Sequence, residues 1–307
     1  MADVDLLTLQ LIAVRSFVVV AMLSIGLQVD KAAFAALRRR WWYFLRALGM
    51  NFVLVPVIGL GAALALGVPE AVAVGVICTA CAAGPSVGPK LVEIARGDLA
   101  EGAALVLLLS AVSALTVGPT ASLLVGAYGS VTGSSITLDP IPIIVGLVFL
   151  QLLPLAIVVT LGQRYPSVAA RVRPIMIRVA TILLVATLAF LAIENLDELF
   201  VVGPWAIAAV TIVVAVAQVG GYLLGGPAAS SRRGLAVVSG QRSAGVAIIA
   251  VQSAGLAPAV VTVIAYGLSM LVVNVGVAVT MGRRALKTSS AADETWASRT
   301  EAAPGAP

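Results

Sequence analysis

The sequence predicts an all-α polytopic membrane protein with nine transmembrane helices arranged as an inverted repeat. Three observations carry that expectation. Of 307 residues, 61% are hydrophobic and 11% charged, more apolar surface than a soluble domain can hide. Apolar runs of about 20 residues, the length that crosses a bilayer as a helix, recur along the chain. Two of these runs are interrupted, at corresponding places of two halves, by helix breakers beside a fixed positive charge: Gly84-Pro85-Ser86-Val87-Gly88-Pro89-Lys90 and Ser239-Gly240-Gln241-Arg242-Ser243-Ala244-Gly245.

The nine runs fall at residues 5–28, 41–66, 70–95, 99–126, 139–163, 174–195, 201–226, 232–256 and 258–283. Asp3 and Asp5 precede the first run where a secretory signal would carry positive charge, so that run reads as a span. Lys31, Arg38, Arg39 and Arg40 follow it; Arg96 follows the third run, and Arg164, Arg171 and Arg173 the fifth. Arg232 and Arg233 follow the seventh, and Arg283, Arg284 and Lys287 the ninth. The intervening loops hold Glu70, Asp139, Glu194, Asp197 and Glu198, with neither Lys nor Arg. The positive-inside rule then puts the N-terminus outside and the C-terminus in the cytoplasm, for a protein of the plasma or inner membrane. Topology accounts for the net charge of +5, and no nucleic-acid partner is needed. Residues 1–284 form the transmembrane domain, and 285–307, rich in Ala, Ser, Thr and Pro, read as a disordered cytoplasmic tail.

Proline removes a backbone donor and glycine loosens a helix, so Gly84, Pro85, Gly88, Pro89, Gly240 and Gly245 mark two discontinuous helices. Such backbone is tolerated at membrane depth only under a cover of protein or around a polar cavity. The interrupted third and eighth runs are five helices apart and cross in opposite senses. Runs one to four therefore pair with six to nine, and the fifth links them. A matched pair of interrupted spans points to the substrate site of a secondary transporter working by alternating access.

Three segments resemble the bile acid:sodium symporter family. They are Ala21-Met22-Leu23-Ser24-Ile25-Gly26-Leu27, the stretch from Gly75-Val76-Ile77-Cys78 to Ala95-Arg96-Gly97-Asp98, and Leu235 through Gly245. The resemblance covers about residues 5–283. It implies a panel domain (5–28, 139–163 and 174–195) and a core domain (41–126 and 201–283) in which two broken helices cross. It also implies an organic anion as substrate, a carboxylate or a bile-acid-like molecule, usually coupled to sodium. The family's sodium ligands, mapped by that resemblance, fall on Gly88, Pro89, Gly102, Val106 and Val237; Gln241 alone keeps a side-chain oxygen and is the weak sodium candidate. No other metal site and no cofactor is expected.

What stands near those positions is cationic. An intramembrane cation costs about 2.5–3.5 kcal/mol on insertion scales and needs a partner or a wet cavity. Lys90 and Arg242 can supply the positive field that sodium gives the relatives, which makes sodium-independent anion transport the expectation. The expected substrate contacts are Ser86, Lys90, Gln241, Arg242, Ser243 and Asn274. Plainer readings stand beside each. Lys90 can snorkel or pair with Glu93, Gln241 and Ser243 can satisfy freed backbone, Ser86 can cap a helix, and Asn274 can bond a neighbouring helix. Arg15 lies mid-span, and Pro56, Pro119 and Pro154 read as kinks. Cys78 and Cys81, without further ligands or any histidine in the chain, read as small packing residues. Two other functions remain open: a sodium-coupled symporter with an altered ion site, and a non-transporting receptor or scaffold on the same fold. No nucleophile–base set or phosphate loop supports an enzyme.

Overall fold

A computed structural model describes residues 6–84, 87–194, 203–253 and 257–301, with side chains over 8–84, 87–194, 205–252 and 259–288. Every described element is helical. Eight helices among the described residues are long and apolar enough to cross a membrane.

Helix α1 (Leu6–Gly26) is followed by the short α2 (Lys31–Arg39), which Asp30 caps by accepting a hydrogen bond from the Ala33 amide at 2.9 Å. Arg38 and Arg39 occupy its last turn, where the helix dipole favours cations. Helix α3 (Trp41–Ala65) opens with two exposed tryptophans, as at a membrane interface. It contains one π-helical turn, Met50–Leu54, directly before Pro56. The same device recurs in α7 (Pro140–Arg164), whose π turn Val148–Leu152 precedes Pro154. Proline cannot donate to the preceding turn and its ring crowds the carbonyl there; a widened turn absorbs both defects without breaking the helix. Between them, α6 (Leu99–Thr132) carries Pro119 within a continuous helix and ends on Gly133 in the left-handed conformation.

The run expected at 70–95 is two helices, α4 (Glu70–Cys81) and α5 (Gly88–Ile94). Pro85 and Ser86, between them, lie outside the described residues. Helices α8 (Pro166–Glu194) and α9 (Gly203–Leu224) follow. The next run is again two pieces, α10 (Ala229–Gly240) and α11 (Ala244–Ser253), separated by Gln241, Arg242 and Ser243. The last helix, α12, runs Ala257–Glu301. It extends through most of 285–307, because Ala, Arg and Lys favour helix whether or not they favour a bilayer.

Helix α1 packs on α7 and α8. A second group gathers α3, α4, α6, α9, α10 and α12, with α9 lying along α10. Each broken run touches the other through opposite pieces, α4 against α11 and α5 against α10. The apolar stretch of Ala229–Gln252 is 100% buried inside the protein, against 22% for Pro166–Glu194. An interrupted helix is tenable there because other helices, not lipid, surround its freed backbone.

Candidate functional site

The two interruptions meet. The Ser243 amide donates to the Ala82 carbonyl at 2.9 Å, so each break satisfies a backbone group freed by the other. The Gly240 carbonyl accepts from Asn274 Nδ2 at 3.0 Å, and Asn274 also donates to the Met270 carbonyl at 3.0 Å. Gln218 Nε2 in turn donates to Asn274 Oδ1 at 2.6 Å. This chain of amides stitches α9 and α12 to the second break. Glycine is required at position 240, where a Cβ would stand 2.4 Å from the Gln218 side chain and 2.7 Å from Asn274 Oδ1. Gly84 is required twice over: its φ is +103°, and a Cβ would lie 2.6 Å from Ser110 Oγ.

Arg242 is 2% exposed, and its side chain is held by little. Its amide donates to the Met270 sulfur at 2.9 Å, and Nη1 reaches the Asn51 carbonyl only at 3.5 Å. Nε and Nη2 have no hydrogen-bond partner, and no carboxylate comes within ion-pair distance among the described residues. The Tyr266 hydroxyl and the Cys81 thiol are its electrostatic neighbours. Other buried unpartnered groups include the Tyr266 hydroxyl, Gln241 Oε1 and Asn51 Oδ1. A buried ion without compensation costs several kcal/mol. Arg242 lines a small cavity with Phe17, Leu188, Gln241 and Ser243, whose volume of about 20 Å³ is room for about one water.

The other expected contacts divide. Ser243 accepts from the Val246 amide at 3.4 Å and so caps α11, while its backbone joins the breaks. Gln241 lines the cavity; Asn274 stands behind Gly240, bonded to backbone. Ser86 lies outside the described residues. Lys90 is set apart from Arg242. It is exposed, pairs with Glu93 at 2.8 Å, and lines an adjoining space with Ser24, Gln28 and Val87. Val87 lines both spaces. Sequence reasoning missed Asn51, Gln218 and Tyr266. The available signal was their polarity inside apolar runs, where a lone amide or hydroxyl needs a protein partner.

Beside the first break, a second set of buried oxygens is unpartnered: Ser110 Oγ, Ser113 Oγ and Gln151 Oε1. Gln151 Nε2 donates to the Ser110 carbonyl.

The model of the sodium bile acid symporter family matches residues 16–201, more than half of the chain. The chain belongs to that family. It is therefore a transmembrane transporter of the sodium bile acid symporter family, an assignment that the eight apolar helices support independently. The matched segment contains the first break and stops short of the second, so Gln241, Arg242 and Asn274 lie beyond it. No curated protein matches the chain.

Proposed function

We propose that this symporter-family member carries a small organic anion by alternating access and does so without sodium, with the Arg242 guanidinium supplying the positive charge. The observation that carries this reading is the buried guanidinium at the meeting of the two breaks, without an ion-pair partner among the described residues. Its planar donors suit a carboxylate, which can accept two parallel hydrogen bonds. Gln241, in the same cavity, and Tyr266, an electrostatic neighbour of Arg242, offer further polar contacts; the cavity itself, about 20 Å³, admits a carboxylate only as alternating access widens it. Lys90, in the adjoining space, is paired with Glu93, so the positive charge of the site rests on Arg242. The α4–α5 and α10–α11 pieces act as the two discontinuous helices of an inverted repeat of nine crossings. In that arrangement α1, α7 and α8 form the panel and the remaining spans the core.

Sodium independence is supported by what fills the positions onto which family resemblance maps ion ligands. Val106 and Val237 are fully buried, and a Cβ at Gly102 would lie 2.9 Å from the Val92 side chain. Sodium requires several oxygens, and valine gives none.

A second reading, sodium-coupled symport, draws on the family's own description and on Ser110, Ser113 and Gln151, whose buried oxygens are unpartnered beside the first break. One experiment separates the two. Thermal unfolding of the purified protein is followed against a panel of small carboxylates, in sodium chloride and in choline chloride, for wild type and Arg242→Ala. A ligand of the folded state raises the apparent melting temperature by mass action. The proposal expects a carboxylate-induced rise, equal in both salts and absent in Arg242→Ala. A rise that requires sodium would transfer the case to the second reading, and an unchanged rise in Arg242→Ala would remove Arg242 from the site.

A further inference from the structure

We propose that the groove between α9 and α12, at the basic end of the bundle, binds one anionic phospholipid. Its walls are apolar, with Val219 and Leu223 on α9 and Val277 and Met281 on α12. Two guanidinium groups line it as well, Arg233 from α10 and Arg284 from α12, and no Asp or Glu among the described residues does. Its volume is about 930 Å³. The walls belong to membrane-spanning helices, and Val219 and Leu223 are 59% and 71% exposed, so acyl chains are their natural cover.

Charge selects among lipids. Arg284 is exposed, and its guanidinium has no hydrogen-bond or ion-pair partner among the described residues. Arg233 donates through Nε and Nη2 to the Arg96 carbonyl, at 3.2 and 2.7 Å. That contact fixes its guanidinium and leaves Nη1 for a ligand. A phosphodiester with a neutral or anionic headgroup meets both cations, whereas a zwitterionic lipid brings its own ammonium into competition. Basic pockets between membrane helices recognise anionic headgroups in this manner. The groove is also lined by the buried Gln218, the first member of the amide chain through Asn274 to Gly240. A bound lipid would thus brace α9 and α12 where they hold the second break.

The site is independent of the transport reading, and its test reads lipid alone. The full-length protein in detergent is titrated with phosphatidylglycerol or phosphatidylcholine and the bound lipid counted by native mass spectrometry. The expected result is one tightly held phosphatidylglycerol, with affinity reduced about fivefold in Arg284→Ala, from the energy of one cation near anionic lipid. Arg284→Lys, which keeps the charge, retains most of it. Arg38→Ala, a basic residue of α2 outside the groove, leaves it unchanged. Equal retention of phosphatidylcholine, wild-type binding by Arg284→Ala, or an equal loss in Arg38→Ala would each overturn the proposal. So would inorganic phosphate binding as tightly as the lipid.

Discussion

At the scale of single residues, Arg242 sets the character of the site. A guanidinium kept out of water with two nitrogens unpartnered weakens the empty protein, because its desolvation is not repaid. Arg242→Met, close in volume and apolar, should therefore melt at or above the wild-type temperature without ligand while failing to respond to carboxylates. A fall of several degrees in the empty protein would mean that the cation has a structural partner. Gly84 makes the opposite case. Gly84→Ala forces a Cβ into a left-handed backbone and onto Ser110, and should cost about 1–3 kcal/mol, read as a lower melting temperature. Wild-type stability in that variant would show that the first break relaxes freely. Much of this was legible in sequence: Gly84, Gly240 and Arg242 stand out because breakers and charge are rare inside apolar runs. Lys90 was legible down to its alternative partner, since Glu93 lies three residues along the same helix. Asn51 and Tyr266 were not, because nothing local distinguishes a polar residue that packs from one that meets a charge on a distant helix.

At the scale of elements, hydropathy located the apolar helices, of which eight and not nine among the described residues are long and apolar enough to cross a membrane, and it misjudged where helices end. Helix α8 begins at Pro166, eight residues before the apolar run at 174, because Arg171 and Arg173 interrupt hydrophobicity without interrupting helix. Helix α6 continues to Thr132, past the run ending at 126, because Gly129, Ser130 and Thr132 lower hydropathy without breaking the helix, which ends on the left-handed Gly133. Apolar composition reports what the bilayer covers, whereas helicity follows backbone hydrogen bonding and caps. Pro56 and Pro154 were readable as distortions, but the π turns that absorb them were not. The basic end of the bundle depends on pairing between elements. Glu101, buried on α6, bonds Arg40, which also donates to Ser231 Oγ of α10 at 2.7 Å. Glu101→Gln should destabilise by up to about 3–5 kcal/mol, less where Arg40 regains water. The check is chemical denaturation, in which a change under 1 kcal/mol would reduce this pair to a surface contact.

At the scale of the whole molecule, charge asymmetry predicts an orientation that can be tested directly. Cys78 and Cys81 are at most 1% exposed, so cysteines introduced singly report their own position. In intact cells, Ser135→Cys should react with a membrane-impermeant maleimide, and Arg38→Cys only after permeabilisation; the reverse pattern would invert the topology. The contact between the breaks was beyond the sequence, since Ser243 and Ala82 are joined by packing and not by any pattern along the chain. One consequence of the unpaired guanidinium concerns the membrane potential. On the proposed anion-carrier reading, a monovalent anion cancels the charge of Arg242, so a loaded site can be carried across the field without electrical work. The empty site remains a lone positive charge. Moving one charge through the whole field costs about 2.3 kcal/mol per 100 mV, and any smaller displacement costs in proportion. Such a carrier returns more easily loaded than empty, which makes one-for-one exchange its natural mode and makes net flux, unlike exchange, respond to voltage.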